Sequence, residues 1–257
     1  MTSRTRLFAF GLALACLATL PGAAAAEVTG GLWQRTTTLV TAGSGTSRTE
    51  DRALAGFTAV ALDGSFNVVL RQGVRDAVRV SADDNLLPLI ETRVVTRDGV
   101  PTLEIGARPG ASFRARRGIV VTVDVVALRA ITLTGSGDVS GDALTLPALQ
   151  LRLRGSGDIR LTHLDAGDLR VRVSGSGDVW LDGRANTLVV SMAGSGDVHA
   201  RELQAQDATV TVAGSGDVRL NAQRTLNASI AGSGSVHHSG PATLTRALAG
   251  SGSIVKD

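Results

Sequence analysis

The sequence predicts an all-β protein: a parallel β-solenoid of about 18–20 residues per coil, with a less regular β section on its N-terminal side. Three observations predict it. A Gly-Ser-Gly turn recurs through the second half, apolar and polar residues alternate before each turn, and a β-branched residue follows each one. The turns begin at Gly135, Gly155, Gly175, Gly194, Gly214, Gly232 and Gly250, in steps of 20, 20, 19, 20, 18 and 18 residues. The next residue after each turn is Asp138, Asp158, Asp178, Asp197 and Asp217, then Ser235 and Ser253.

The alternation is plain in Leu149, Leu151 and Leu153 set between Gln150, Arg152 and Arg154. Leu169, Val171 and Val173 alternate in the same way with Arg170, Arg172 and Ser174. A period of two puts one set inside a strand and the other outside. Recurrent Gly and branched residues disfavour helix. Each unit has an apolar face that it cannot bury alone, and stacking equivalent units buries it. Six steps of about 4.8 Å give a rod segment of roughly 29 Å. The turn glycines are expected to allow positive φ and a close approach of neighbouring coils.

Composition fits thin layers. Of 257 residues 43% are apolar, yet only 3% are aromatic and there is no Tyr, so the core must be Val, Leu, Ile and Ala. Coils at the ends of the stack should differ from the rest. Arg129 and Arg246 stand at normally apolar positions of the first and last copies, and read as inward caps.

Residues 1–26 read as a signal peptide: Arg4 and Arg6, an apolar Leu7–Leu20 stretch, and Ala24–Ala26 before Glu27. That stretch is shorter than a membrane-spanning helix needs. The expectation is an exported protein of the periplasm, outer-membrane surface or medium. Cys16 follows Ala13-Leu14-Ala15, an imperfect lipidation box. Cleavage removes this sole cysteine, and with it any disulfide or thiolate chemistry. It also removes two of 26 basic residues, leaving 24 against 23 acids and a net charge of +1. Nucleic acid is therefore not an expected partner.

Residues 27–55 read as a flexible linker or first irregular coil, 56–128 as an irregular β section, and 129–257 as the regular solenoid. Within 56–128, Gly64-Ser65-Phe66-Asn67-Val68 is a degenerate version of the later turn, and Ile119–Val126 reads as a strand. Asp83–Ile90 reads as one or two helical turns around Pro88.

The stretch from Phe57 to Gly73, then Val78–Ile90, and the Gly-Ser-Gly-Asp-Val copies resemble the bacterial head GIN domain family, whose members carry the label auto-transporter adhesin. The resemblance covers about residues 56–257. It implies a right-handed, single-stranded parallel β-helix in an exported protein, and supplies no catalytic residues. Self-translocation would need a C-terminal membrane barrel of many tilted strands. None is expected in the few residues between the last turn and Asp257.

Three chemical features stand out. The Asp column would line up carboxylates about 4.8 Å apart. The expected explanation is that each Asp accepts backbone N–H bonds in its own turn, with arginines such as Arg154 and Arg160 nearby. A Ca²⁺ ladder is the alternative. Second, Ser140, Arg160, Trp180, His199, Arg219, His237 and Val255 should form one outward stripe, on which Trp180 offers a stacking surface. Third, Arg152, Arg154, Arg170 and Arg172 should form a basic patch across two coils.

His237 and His238 point to opposite faces and make no chelate alone, and the repeated Ser is a turn residue rather than a nucleophile. The expected function is a non-catalytic envelope module that binds glycan, an envelope protein or its own copies through its faces or ends. The alternatives are a polysaccharide lyase on the same scaffold, by analogy with other β-helices, and a divalent-cation-binding surface protein.

Overall fold

The computed structural model describes residues 40–257; the expected signal peptide and the first part of the 27–55 segment lie outside them. Nine strands form the N-terminal section: β1 (Val40–Ala42), β2 (Ser47–Arg52), β3 (Ala59–Gly64), β4 (Asn67–Gln72), β5 (Ala77–Asp83), β6 (Ile90–Arg97), β7 (Val100–Ala107), β8 (Ser112–Arg114) and β9 (Val120–Val125). A single 3-10 turn, Leu87–Leu89, marks Pro88. Ten strands follow: β10 (Ala130–Gly135), β11 (Val139–Asp142), β12 (Thr145–Leu153), β13 (Ile159–Val173), β14 (Val179–Met192), β15 (Val198–Val212), β16 (Val218–Ile230), β17 (Ser235–Ser239), β18 (Thr243–Leu248) and β19 (Ser253–Lys256).

The repeat is a parallel stack. Ile159 pairs with Val179, Val179 with Val198, Val198 with Val218, Val218 with Val236, and Val236 with Ile254. The alternation before the turns delivers its inward set as predicted: Leu151, Val171, Val190 and Val210 are all 0–1% exposed. The uneven repeat length is absorbed in the return segment that follows each turn. Register shifts fall between Leu161 and Leu164, Trp180 and Gly183, Ala200 and Gln204, and Ala205 and Asp207, while turn and core positions stay aligned.

The degenerate turn at Gly64 belongs to a full coil. Val60 pairs with Ile131, Gly64 with Gly135, and Val68 with Val139, all parallel. The opposite side of this coil carries β7 on β3 and β9 on β4, also parallel. The chain thus begins the rod in its second layer, builds the end layer, and crosses back to β10. Antiparallel strands close that end: β6 on β7, β5 on β9, and β2 on β5. The backbone groups that a terminal coil would leave unpaired are thereby satisfied. Residues 47–52, in the stretch read as linker or coil, are one of these closing strands. Buried Asp83 fastens the closure by accepting the backbone N–H of Gly45 at 3.0 Å and of Arg116 at 2.9 Å.

The far end is open among the described residues. β18 pairs with β16 and β19 with β17, and their outer edges carry no strand. Arg246 occupies the column of Val210 and Ala228 there, in the exposed last coil. Arg129 is a correction to the expected inward cap: it is exposed, and Leu128 beside it is buried instead.

Of the two reasons expected for the turn glycines, close approach of neighbouring coils holds through the stack and positive φ only at its margins. Gly135 and Gly250, at its margins, have φ of 114° and 138°. The inner copies do not need positive φ. They are glycine because coils nearly touch: a Cβ on Gly155 would lie 1.8 Å from the Gly135 carbonyl oxygen, and one on Gly157 1.8 Å from that of Gly137.

Candidate functional site: an arginine face and the trough beside it

Stacked corners bring the Asp column together, but its bonds run between coils, not within one turn. The carboxylate of Asp138 accepts the backbone N–H of Asp158 at 3.0 Å, and Asp158 accepts that of Asp178 at 3.0 Å. Asp178 receives the amide of Asp197 at 2.7 Å, Asp197 that of Asp217 at 2.8 Å, and Asp217 that of Ser235 at 2.9 Å. Each side chain is thus a splint to the next layer. Charge relief comes from Arg219, 3.8 Å from Asp197 and 3.5 Å from Asp217, rather than from Arg154 or Arg160.

The outward stripe is assembled in register. Arg160 pairs with Trp180, Trp180 with His199, and His199 with Arg219. Its geometry changes the role expected of Trp180. The Arg160 guanidinium lies over the indole ring, 4.4 Å from its centroid, and His199 stacks on the other side at 5.1 Å and 17°. Both ring faces are covered, because rings on stacked strands pile face to face along the rod. The ladder is internally satisfied by cation–π and aromatic contacts, and Trp180 presents no free face to a sugar.

The arginine patch is different. Arg152 pairs with Arg172 across β12 and β13; Arg170 lies two residues before one, and Arg154 two residues after the other. The four make a diagonal row about 13 Å long along the strand direction. Arg154, Arg170 and Arg172 are exposed and Arg152 half-buried. None forms an ion pair or side-chain hydrogen bond among the described residues, although Asp168 lies on the same face beyond Arg170. Other arginines of the stack are matched: Arg184 with Asp165 at 2.6 Å, and Arg224 with Asp207, whose carboxyl is held down to about 2 by hydrogen bonds from Arg224 and Thr225. Like charges on adjacent strands repel, so this patch lacks the internal compensation that Arg184, Arg219 and Arg224 have.

A trough of about 630 Å³ adjoins the patch. It crosses β6, β7, β3, β10 and β12. Its floor is small, with Ala59, Ala61, Ala130 and Thr132; Gln150, Arg152 and Arg154 line the side nearest the patch. The other side is the β6–β7 hairpin, where Glu104 accepts from Arg93 at 2.8 Å and also pairs with Arg97. Burial pushes the Glu104 carboxyl up, but these guanidinium hydrogen bonds outweigh it and hold it below its ordinary value. This rim was missed in the sequence. The Asp98-Gly99 dipeptide, with φ of 50° and 77°, was the available signal for a two-residue hairpin that sets Arg93 opposite Glu104.

Two histidines sit in contrasting places. His163, exposed, shares the Asp142 carboxylate with Thr162; its Nδ1 is 2.7 Å away, and this hydrogen bond raises its pKa. His238 points into the core, 3% exposed, while His237 faces out.

Comparison with known proteins agrees with this architecture. The family profile described as "putative auto-transporter adhesin, head GIN domain" matches residues 56–242. A crystal structure of a "putative adhesin" from Bacteroides fragilis superposes with a TM-score of 0.78 at 25% identity, covering 84% of this chain and 99% of that one. A "putative lipid binding protein" from Parabacteroides distasonis gives 0.68 at 22% identity, over 85% of this chain and 100% of that one. A "putative adhesin" from the same organism also gives 0.68 at 22% identity, covering 84% and 99%. A search of the curated proteins found no match. No helix among the described residues is long and apolar enough to cross a membrane. With the profile spanning most of its length and the same rod recurring in these relatives, the chain belongs to the head GIN domain family.

Proposed function

We propose that this protein is an exported, non-catalytic, adhesin-like module of the cell envelope that holds an anionic partner on its arginine face. The observation that carries this reading is the set of four guanidiniums, Arg152, Arg154, Arg170 and Arg172, gathered on adjacent strands without carboxylate partners. Arg184, Arg201, Arg219 and Arg224 of the same stack pair with acids, whereas these four lie together on adjacent strands without such a partner, so an external anion is the natural complement here. The adhesin label of the family and its relatives supports the same direction.

The test is binding of the purified protein to immobilised polygalacturonate and to neutral dextran across a salt series. Retention on the polyanion alone, weakening as salt rises and falling at least tenfold in a variant with all four arginines changed to Ala, is expected. Equal retention of the wild type and that variant would contradict it. Unsaturated product released from the polygalacturonate would contradict the non-catalytic part.

A further inference from the structure

We propose that the trough and the arginine face form one site for an acidic saccharide chain, with a sugar ring lying in the trough and its carboxylate on Arg152 and Arg154. The inference rests on the anionic-partner reading above and names the partner's class. Three observations point to a saccharide rather than to any polyanion. First, the trough's volume of about 630 Å³ falls within the range of small-molecule sites, about 300–1,000 Å³. Second, its floor of Ala59, Ala61, Ala130 and Thr132 lets ring carbons approach the sheet closely. Third, its margins offer both kinds of hydrogen-bonding group that hydroxyls need: acceptors at Asp63 and Glu91, and the Gln150 amide, which both donates and accepts. The guanidiniums of Arg152 and Arg154 line the trough and also begin the exposed row that continues to Arg172 and Arg170. A chain with an acidic group on successive residues would therefore leave the trough onto further cations. A simple polyanion has no use for the small floor or the acidic margin.

The test is calorimetric titration of the full protein with an α-1,4-galacturonate hexasaccharide and, separately, with a short-chain inorganic polyphosphate. Thr132→Leu narrows the trough from a half-exposed position and, offering neighbouring Arg152 no ring to stack on, leaves every arginine free. Gln150→Ala serves as the second variant if the first does not fold. Expected is a loss of at least tenfold in hexasaccharide affinity for either variant, with polyphosphate binding unchanged within twofold. Arg152→Ala/Arg154→Ala should weaken both ligands. If the trough variants bind the hexasaccharide like wild type while the arginine variant does not, the saccharide site is overturned and the anionic reading stands. If the arginine variant also binds both ligands like wild type, both fall.

Discussion

The regular stack and the N-terminal closure solve the same problem, an unpaired strand edge, in opposite ways. In the stack each coil offers its edge to a near copy of itself, so every layer must fit the one below. In the closure the last edges are covered by antiparallel strands β2, β5 and β6, whose side chains repeat nothing. The stack therefore takes up variation in its return segments, after Leu161, Trp180, Ala200 and Ala205, where register shifts occur. The lesson is that repetition fixes backbone contacts as strictly as it fixes the core.

That contrast breaks most sharply at glycine. In the stack, a Cβ on Gly177 would sit 2.0 Å from the Gly157 carbonyl oxygen. Gly177→Ala should cost about 3 kcal/mol or more in chemical denaturation, because a backbone layer has to move. In the closing hairpin Gly99 has φ of 77° and nothing within 4 Å of its Cβ position. Gly99→Ala should cost only about 1–2 kcal/mol, from left-handed backbone alone. Equal losses would erase the distinction.

The aspartate splints sharpen the comparison at smaller scale. Asp178→Ala removes the acceptor of the Asp197 amide and should cost about 1–3 kcal/mol. Asp178→Asn keeps an oxygen there while deleting one of several stacked charges, and should be near neutral or stabilising. If Asn is as damaging as Ala, the charge itself matters, as it would in a cation ladder.

The smallest effect lies at the open end. His238 is 3% exposed, its Nδ1 has no partner, and it lies between Leu220 and Lys256 in the parallel register. Burial, and then the Lys256 charge, lower its pKa from 6.5, with Asp257 opposing. The unfolded chain then binds the proton more tightly, so stability is full above about pH 6.5 and falls as the pH drops below it. Because the raised pKa of His163 acts with the opposite sign in both proteins, the loss should appear in thermal melts as a wild-type stability that falls relative to His238→Leu as the pH drops below about 6.5. A difference that stays constant with pH would mean that the last coils unfold independently.

Much of the stack was legible because its signals are periodic. Seven turns, the branched residue after each, and the Leu/Arg alternation of β12 and β13 locate the core, the outward stripe and the arginine face. What escaped depends on distances between layers. Nothing in the letters of Gly-Ser-Gly-Asp separates a φ requirement from a 1.8 Å collision, or an acceptor within a turn from one serving the next coil. Trp180 reads as an open platform until its neighbours Arg160 and His199 are seen to lie on both faces. The trough needs β6 and β12, 59 residues apart in sequence from Glu91 to Gln150, to flank one floor, and no periodicity announces that.

Spin-label distances test the central claim, in-register parallel stacking, most directly. With Cys16 changed to Ser, nitroxide pairs replace the exposed turn serines Ser156 and Ser176, Ser156 and Ser195, or Ser156 and Ser233. The account predicts separations that grow in proportion to coil count, about 5, 10 and 19 Å, each with one narrow population. Separations that do not rise with coil number, or a Ser156–Ser233 pair as close as Ser156–Ser176, would contradict the stack and with it the arginine face.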